Sequence, residues 1–191
     1  MTMHCNNVIL GGSILFIAGI IDVLGIAVGG SFESGLLWNL SVFLFGLLII
    51  VSVYFVHKAL NSKLFSILLV VAGIGAIGAA LFCGCYGLLL NLIGDKPLLY
   101  YPFAVVGYLA LGLCGIISYK FTRRPFSYFC LGLGLFSLIA FGVWISSFDI
   151  SYSGTRMPSI LVDYSQSLLL VGFGAYLIGE YSHGQLATKA N

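Results

Sequence analysis

Six long apolar blocks, nearly free of charged residues, dominate this sequence and leave few folds open to it. Only 7% of the 191 residues are charged, whereas a typical soluble domain carries about 25%. A soluble domain of this size has too little interior to bury so much apolar surface. The pattern therefore predicts a chain whose main solvent is lipid.

Each block is long enough to cross a bilayer as a helix, which takes about 20 apolar residues. The blocks span residues 8–29, 35–56, 64–91, 98–119, 125–148 and 157–181. They are continuous apolar runs rather than alternating strands, so helices are favoured over a barrel. We predict an all-α, polytopic membrane protein, in which residues 1–191 form one bundle of six transmembrane helices with short loops. The first block is too long for a signal peptide and is expected to be retained.

Basic residues are distributed unequally between the two sets of loops. One set, with the C-terminal tail, holds Lys58, Lys63, Lys120, Arg123, Arg124 and Lys189, whereas the other holds Lys96 and Arg156. Short loops with an excess of Lys and Arg stay in the cytoplasm. We therefore expect a multi-pass protein of the cell membrane with both termini cytoplasmic.

The first five of those cytoplasmic residues form what we call the basic collar. Its members are Lys58, Lys63, Lys120, Arg123 and Arg124. Basic residues at a membrane surface attract anionic headgroups by about 1 kcal/mol each, so we predict that the collar contacts anionic membrane lipid. The alternative is that the collar serves topology alone.

Residues 73–78 match the G-x-G-x-x-G pattern of dinucleotide-binding loops. That motif needs a strand before it and an acidic residue about 20 positions on, but here it lies within an apolar helix and position 98 is leucine. Small residues instead let membrane helices approach closely, so we predict that Gly75 and Ala79 pack against another helix. The glycines of the last two blocks should do the same: Gly132, Gly134, Gly172 and Gly174.

Two carboxylates lie inside the blocks, Asp22 in the first and Asp163 in the last. They are seven and six residues from the block ends at the same membrane face, so both lie about 10 Å deep. An acid in hydrocarbon normally faces the bundle interior or water. We predict that the two share an outward-facing pocket for a cation, a proton or a lipid headgroup. The other predicted members of this pocket are Asn39 and Gln166, with Arg156 at its mouth.

Two simpler explanations of these acids stay open. Either aspartate could lie shallow enough to be hydrated at the interface, or Asp163 could pair with Arg156, two helical turns earlier on the same face. Aromatic residues near the block ends are typical of an interfacial belt. These residues are Trp38, Tyr100, Tyr101, Trp144, Tyr152 and Tyr181.

The sequence carries no pattern typical of catalysis or of a bound metal. Its three histidines lack ligand spacing, and no nucleophile and base stand together. Cys114 and Cys130 fall at similar depth on consecutive helices and could touch as small apolar residues. We expect a non-enzymatic protein without cofactor, metal or nucleic-acid partner, which binds a small ligand or membrane lipid or is a subunit of a larger membrane complex. The alternative is a small transporter or proton-coupled carrier that uses Asp22 and Asp163.

Several segments resemble a known family. They are WNLS at 38–41 followed by GLL at 46–48, GIGAIGAALF at 73–82, GTRM at 154–157 and GFGAYL at 172–177. They look like the second span, third span, last loop and last span of a prokaryotic membrane family, the domain of unknown function 998. The resemblance extends over most of the chain and implies six helices, but it implies no activity. The family's usual first outer loop, with a serine-aspartate pair before leucine-glycine, is absent here.

Overall fold

The computed structural model describes residues 2–28, 35–60, 62–82, 97–146 and 156–189. These residues form six helices: α1 (Thr2–Val28), α2 (Gly35–Leu60), α3 (Lys63–Phe82), α4 (Pro97–Ser118), α5 (Phe126–Ser146) and α6 (Arg156–Lys189). Each is long and apolar enough to cross a membrane. The predicted all-α class and the six helices are therefore confirmed, and the chain is a multi-pass membrane protein.

The helix ends differ from the predicted block ends at both termini of the chain. Helix α1 begins at Thr2, before the predicted start at residue 8, and α6 continues to Lys189, past the predicted end at 181. Hydropathy detects only the part of a helix that lies in hydrocarbon, whereas helical hydrogen bonding continues through polar residues on either side. The predicted end of the third block, at residue 91, lies outside the described residues.

The six helices form a closed ring around one interior. Each packs against its neighbours in sequence, and α6 also packs against α1. Because successive helices run in opposite directions, the ring has two ends. We call the end that carries Ser62 and residues 119–125 the link end. The opposite end, where α1 finishes at Val28 and α2 begins at Gly35, is the cavity end.

Glycines bring neighbouring helices into backbone contact, as predicted. A Cβ added at Gly75 of α3 would lie 2.6 Å from the Cα of Gly107 on α4, and one at Gly174 of α6 would lie 2.5 Å from the Gly12 carbonyl oxygen on α1. The prediction was wrong for Gly132. This residue is exposed on the outside of α5, and an added Cβ would have no neighbour within 4 Å.

Large apolar side chains fill the ring from its middle to the link end. Fully buried members of this core include Leu15, Ile49 and Leu69, and Phe65 packs against Phe173 nearby. A smaller cluster near the cavity end includes Trp144, which is only 9% exposed. Trp144 lies near the end of α5, which finishes at Ser146, and its ring is buried against Tyr108 and Phe141.

Candidate ligand site inside the helix ring

A cavity of about 40 Å³ lies inside the ring. A water molecule needs about 10–15 Å³ by this measure, so there is room for about three. The side chains that give the cavity its chemistry are Asp22, Trp38, Tyr100, Tyr108, Asp163 and Gln166. From Trp38, near the start of α2, the wall continues to Phe45, a depth of about 10 Å along the helix.

Asp22 of α1 is held against α6 by a hydrogen bond. The Ser167 hydroxyl donates to its Oδ2 over 2.5 Å, and Asp22 is 6% exposed. The same hydroxyl lies 2.8 Å from the backbone oxygen of Asp163. The close approach depends on Gly19, one turn earlier on α1, where a Cβ would lie 2.7 Å from the Ser167 carbonyl oxygen. A glycine on this face of α1 thus brings the carboxyl within reach of α6.

Asp163 lies beside Asp22 but has a different partner. It is partly buried, and its carboxyl lies close enough to the Tyr108 side chain on α4 for the two groups to interact. The carboxyls of Asp163 and Asp22 are close enough to interact electrostatically. Among the described residues that line the cavity there is no lysine, arginine or histidine. The described part of the cavity wall therefore places no basic side chain beside the two acids.

Gln166 ties three helices together at the cavity wall. Its Nε2 donates to the backbone oxygen of Tyr108 on α4 over 2.9 Å and to the Ser137 hydroxyl on α5 over 2.8 Å. The Tyr108 carbonyl can only accept, so the orientation of the amide is determined by this contact. The amide oxygen is then the group that Gln166 can offer to a ligand as an acceptor.

The structure brings three of the predicted pocket residues together: Asp22, Asp163 and Gln166 all line the cavity. Asn39 does not. It is fully buried on α2 next to Trp38 but is not one of the lining residues. Its predicted role as a hydrogen-bonding neighbour of the two acids stays a prediction. The side chain of Arg156, predicted at the mouth, lies outside the described residues.

Sequence reasoning missed Ser167 and Tyr108 as parts of the site. Ser167 follows Asp163 by four residues and therefore shares its helix face, a signal that was available from the sequence. Tyr108 comes from a different helix, and only the fold brings it to Asp163. Trp38 and Tyr100 were interpreted as belt residues, but both line the cavity.

Four residues of the basic collar lie near the link end with exposed or partly exposed side chains. Lys63, Lys120 and Arg124 are exposed, and the Arg124 guanidinium lies 5.3 Å from the centre of the Tyr128 ring. Arg123 is 2.8 Å from a carboxylate oxygen of Glu180 on α6. The Arg123 charge is thus partly neutralised by the Glu180 carboxylate. The side chain of Lys58 lies outside the described part of the chain.

Elsewhere in the described residues the structure offers little further chemistry. Cys114 and Cys130 are buried and not joined by a disulfide. No three histidine, cysteine or acidic side chains within the described ranges form a group that could hold a metal.

The fold and cavity define a six-helix membrane protein with an acidic site inside its ring. No family model, curated protein or solved structure matches the chain. The resemblance to the domain of unknown function 998 therefore stays a prediction, and the function has to be argued from the site itself.

Proposed function

We propose that this protein is a non-enzymatic membrane protein that binds a small ligand in the cavity inside the helix ring. The observation that supports this is the position of Asp22 and Asp163 in one cavity. Carboxyls inside a membrane are costly and usually mark a functional site. Two of them from opposite ends of the sequence, facing each other in a space of about 40 Å³, favour an occupant that interacts with both.

Binding is favoured over transport because the cavity ends within the ring. Beyond Leu111 and Phe45 the interior is filled by the apolar core around Leu15, Ile49 and Leu69. Ser66 contacts His57 Nδ1 between α3 and α2, but several other buried hydroxyls toward the link end donate to carbonyl oxygens of their own helices. Ser52 donates to the Ile49 carbonyl oxygen over 2.6 Å, for example. Along the described residues, therefore, no polar route leads from the acids to the link end.

Native mass spectrometry of the protein from mild detergent tests this proposal. We expect a bound small molecule or lipid on the wild-type protein. In Asp22→Asn and Asp163→Asn its occupancy should fall at least about tenfold, because a hydrogen bond to a charged group contributes about 1.5–3 kcal/mol. Glu180→Gln is the matched control, since it removes a carboxylate from α6 at the link end and should leave occupancy unchanged.

Equal occupancy in all four proteins would show that any ligand binds elsewhere and would refute the proposal. A second chain in place of a small molecule, retained equally by all variants, would favour the subunit of a larger complex instead.

A proton-coupled carrier is the second candidate, and the position of Ser167 favours it. The hydroxyl has one proton and lies within hydrogen-bonding distance of two oxygens, Asp22 Oδ2 and the Asp163 carbonyl. If Asp22 were protonated, its O–H could donate to the Ser167 oxygen while the Ser167 hydroxyl donates to the Asp163 carbonyl oxygen, so each contact would contain one hydrogen atom. Proton uptake into liposomes that is lost in Asp22→Asn and kept in Glu180→Gln would support the carrier. No uptake above protein-free liposomes would exclude it.

We further propose that the protein lies in the cell membrane with both termini in the cytoplasm. The support is the excess of basic residues near the link end, which would make the cavity end the outer one. In this orientation the exposed Lys63, Lys120 and Arg124 are at the height of the inner headgroups, and anionic lipid is their proposed partner.

A further inference from the structure

We propose that the cavity binds a small aliphatic ammonium ion that carries N–H donors. This inference rests on the proposed function, that the cavity holds a ligand, and adds the chemical class. It is carried by three properties of the cavity: the charge and hydrogen-bonding character of its polar groups, the nature of its walls, and its size.

The cavity has two acidic side chains and a further amide oxygen in its wall, and no basic side chain among the described residues that line it. The Asp22 and Asp163 carboxyls are the acidic groups of the cavity, and the Gln166 amide oxygen offers a further acceptor. Two donors at the cavity are already engaged with protein oxygens: the Ser167 hydroxyl with Asp22, and Gln166 Nε2 with Tyr108 and Ser137. A ligand that complements such a set is positively charged and brings its own donors.

The walls are aromatic and aliphatic. Trp38, Tyr100, Tyr108 and Phe45 contribute rings, and cations bind favourably over the faces of such rings. A hard metal ion such as Ca²⁺ prefers about six to eight oxygen ligands, which a wall composed mostly of carbon does not supply. An ammonium group satisfies the acids through its N–H groups, and its alkyl part contacts the apolar wall.

The size of the cavity limits the alkyl part. A space of about 40 Å³ corresponds to about three waters, each of which takes about 30 Å³ of liquid volume. The occupant is therefore about four or five non-hydrogen atoms. Ethylammonium and propylammonium meet this limit, whereas tetraethylammonium exceeds it and has no N–H donor.

Fluorescence of Trp38 reports on occupancy directly. The chain has two tryptophans, so Trp144→Phe leaves Trp38, in the cavity wall, as the sole reporter. The protein in nanodiscs of zwitterionic lipid is titrated at constant ionic strength with ethylammonium. Ethanol, acetate, Na⁺ and tetraethylammonium are titrated in parallel as probes of charge, donor content and size.

We expect ethylammonium to give a saturable change, with no saturable change from the other four probes. In the same background, Asp22→Asn and Asp163→Asn should each raise its Kd at least about tenfold, and Glu180→Gln should leave it unchanged. Circular dichroism of each variant establishes that the helices are intact.

Saturation by Na⁺ or by acetate, with no effect of ethylammonium, would overturn the ammonium class but leave a ligand site at the two acids. An ethylammonium Kd unchanged in both aspartate variants would overturn the inference as well. Failure of every probe, together with no aspartate-dependent ligand in native mass spectra, would remove both the inference and the proposed function.

Discussion

Replacement of Gly134 by alanine should weaken the α4–α5 contact and lower the free energy of unfolding. A Cβ at this position would lie 2.7 Å from the backbone nitrogen of Ile116 and 2.8 Å from the carbonyl oxygen of Gly112. Both are backbone atoms of α4, so rotation of a side chain cannot relieve the contact. The helices must separate locally by about 0.7 Å to restore the 3.4 Å of an ordinary contact.

Gly132 on the same helix provides the matched control. An alanine there meets nothing within 4 Å, so Gly132→Ala changes only the helix propensity, by about 1 kcal/mol in favour of alanine. Because both sites are on α5, Gly134→Ala gains the same helix propensity. It also adds the steric cost of the contact with α4. The difference between the two variants therefore isolates the cost of overpacking, about 1–3 kcal/mol.

Unfolding in mixed micelles with increasing SDS, followed by far-ultraviolet circular dichroism, measures this difference. We expect Gly134→Ala to unfold at a lower SDS fraction than the wild-type protein and Gly132→Ala at the same or a higher fraction. Coincident unfolding curves for the two alanine variants would refute the claim that α4 and α5 are in backbone contact at Gly134.

Three further predictions concern the site and the link end. Gln166→Leu should lose about 1 kcal/mol of stability in the same assay because two interhelical hydrogen bonds are lost, and Ser137→Ala should lose less. Equal stability of the wild-type protein and both variants would contradict a stabilising role for these hydrogen bonds. Arg124→Gln should reduce retained anionic lipid in native mass spectra more than Arg123→Gln, because Arg123 is already paired with a carboxylate; the opposite order would argue against headgroup contact. A cysteine at Ser62, in a cysteine-free background, should be labelled only from the cytoplasmic side, and labelling by an impermeant reagent from outside would reverse the proposed orientation.

The sequence by itself determined the solvent, the class of fold and the depth of the acids. Hydropathy and the rise of a helix are local properties, so six apolar blocks predict six spans without knowledge of their neighbours. The depth match of Asp22 and Asp163 follows from the same count, and both acids line one cavity. Gly75 and Gly134 were likewise recognisable as packing positions, since small residues are used in this way in membrane helices.

Only the tertiary structure decided which way each helix faces. In lipid, the buried and exposed faces of a helix are both apolar, so the hydrophobic pattern that orients a helix in a soluble protein is absent. For this reason Gly132 was expected inside and lies outside, and Trp38 was expected in the interface and lines the cavity. For the same reason, the sequence alone did not predict the contact of Asp22 with Ser167. Their pairing depends on how α1 and α6 are turned toward each other, which the packing of the whole ring determines and a single span does not.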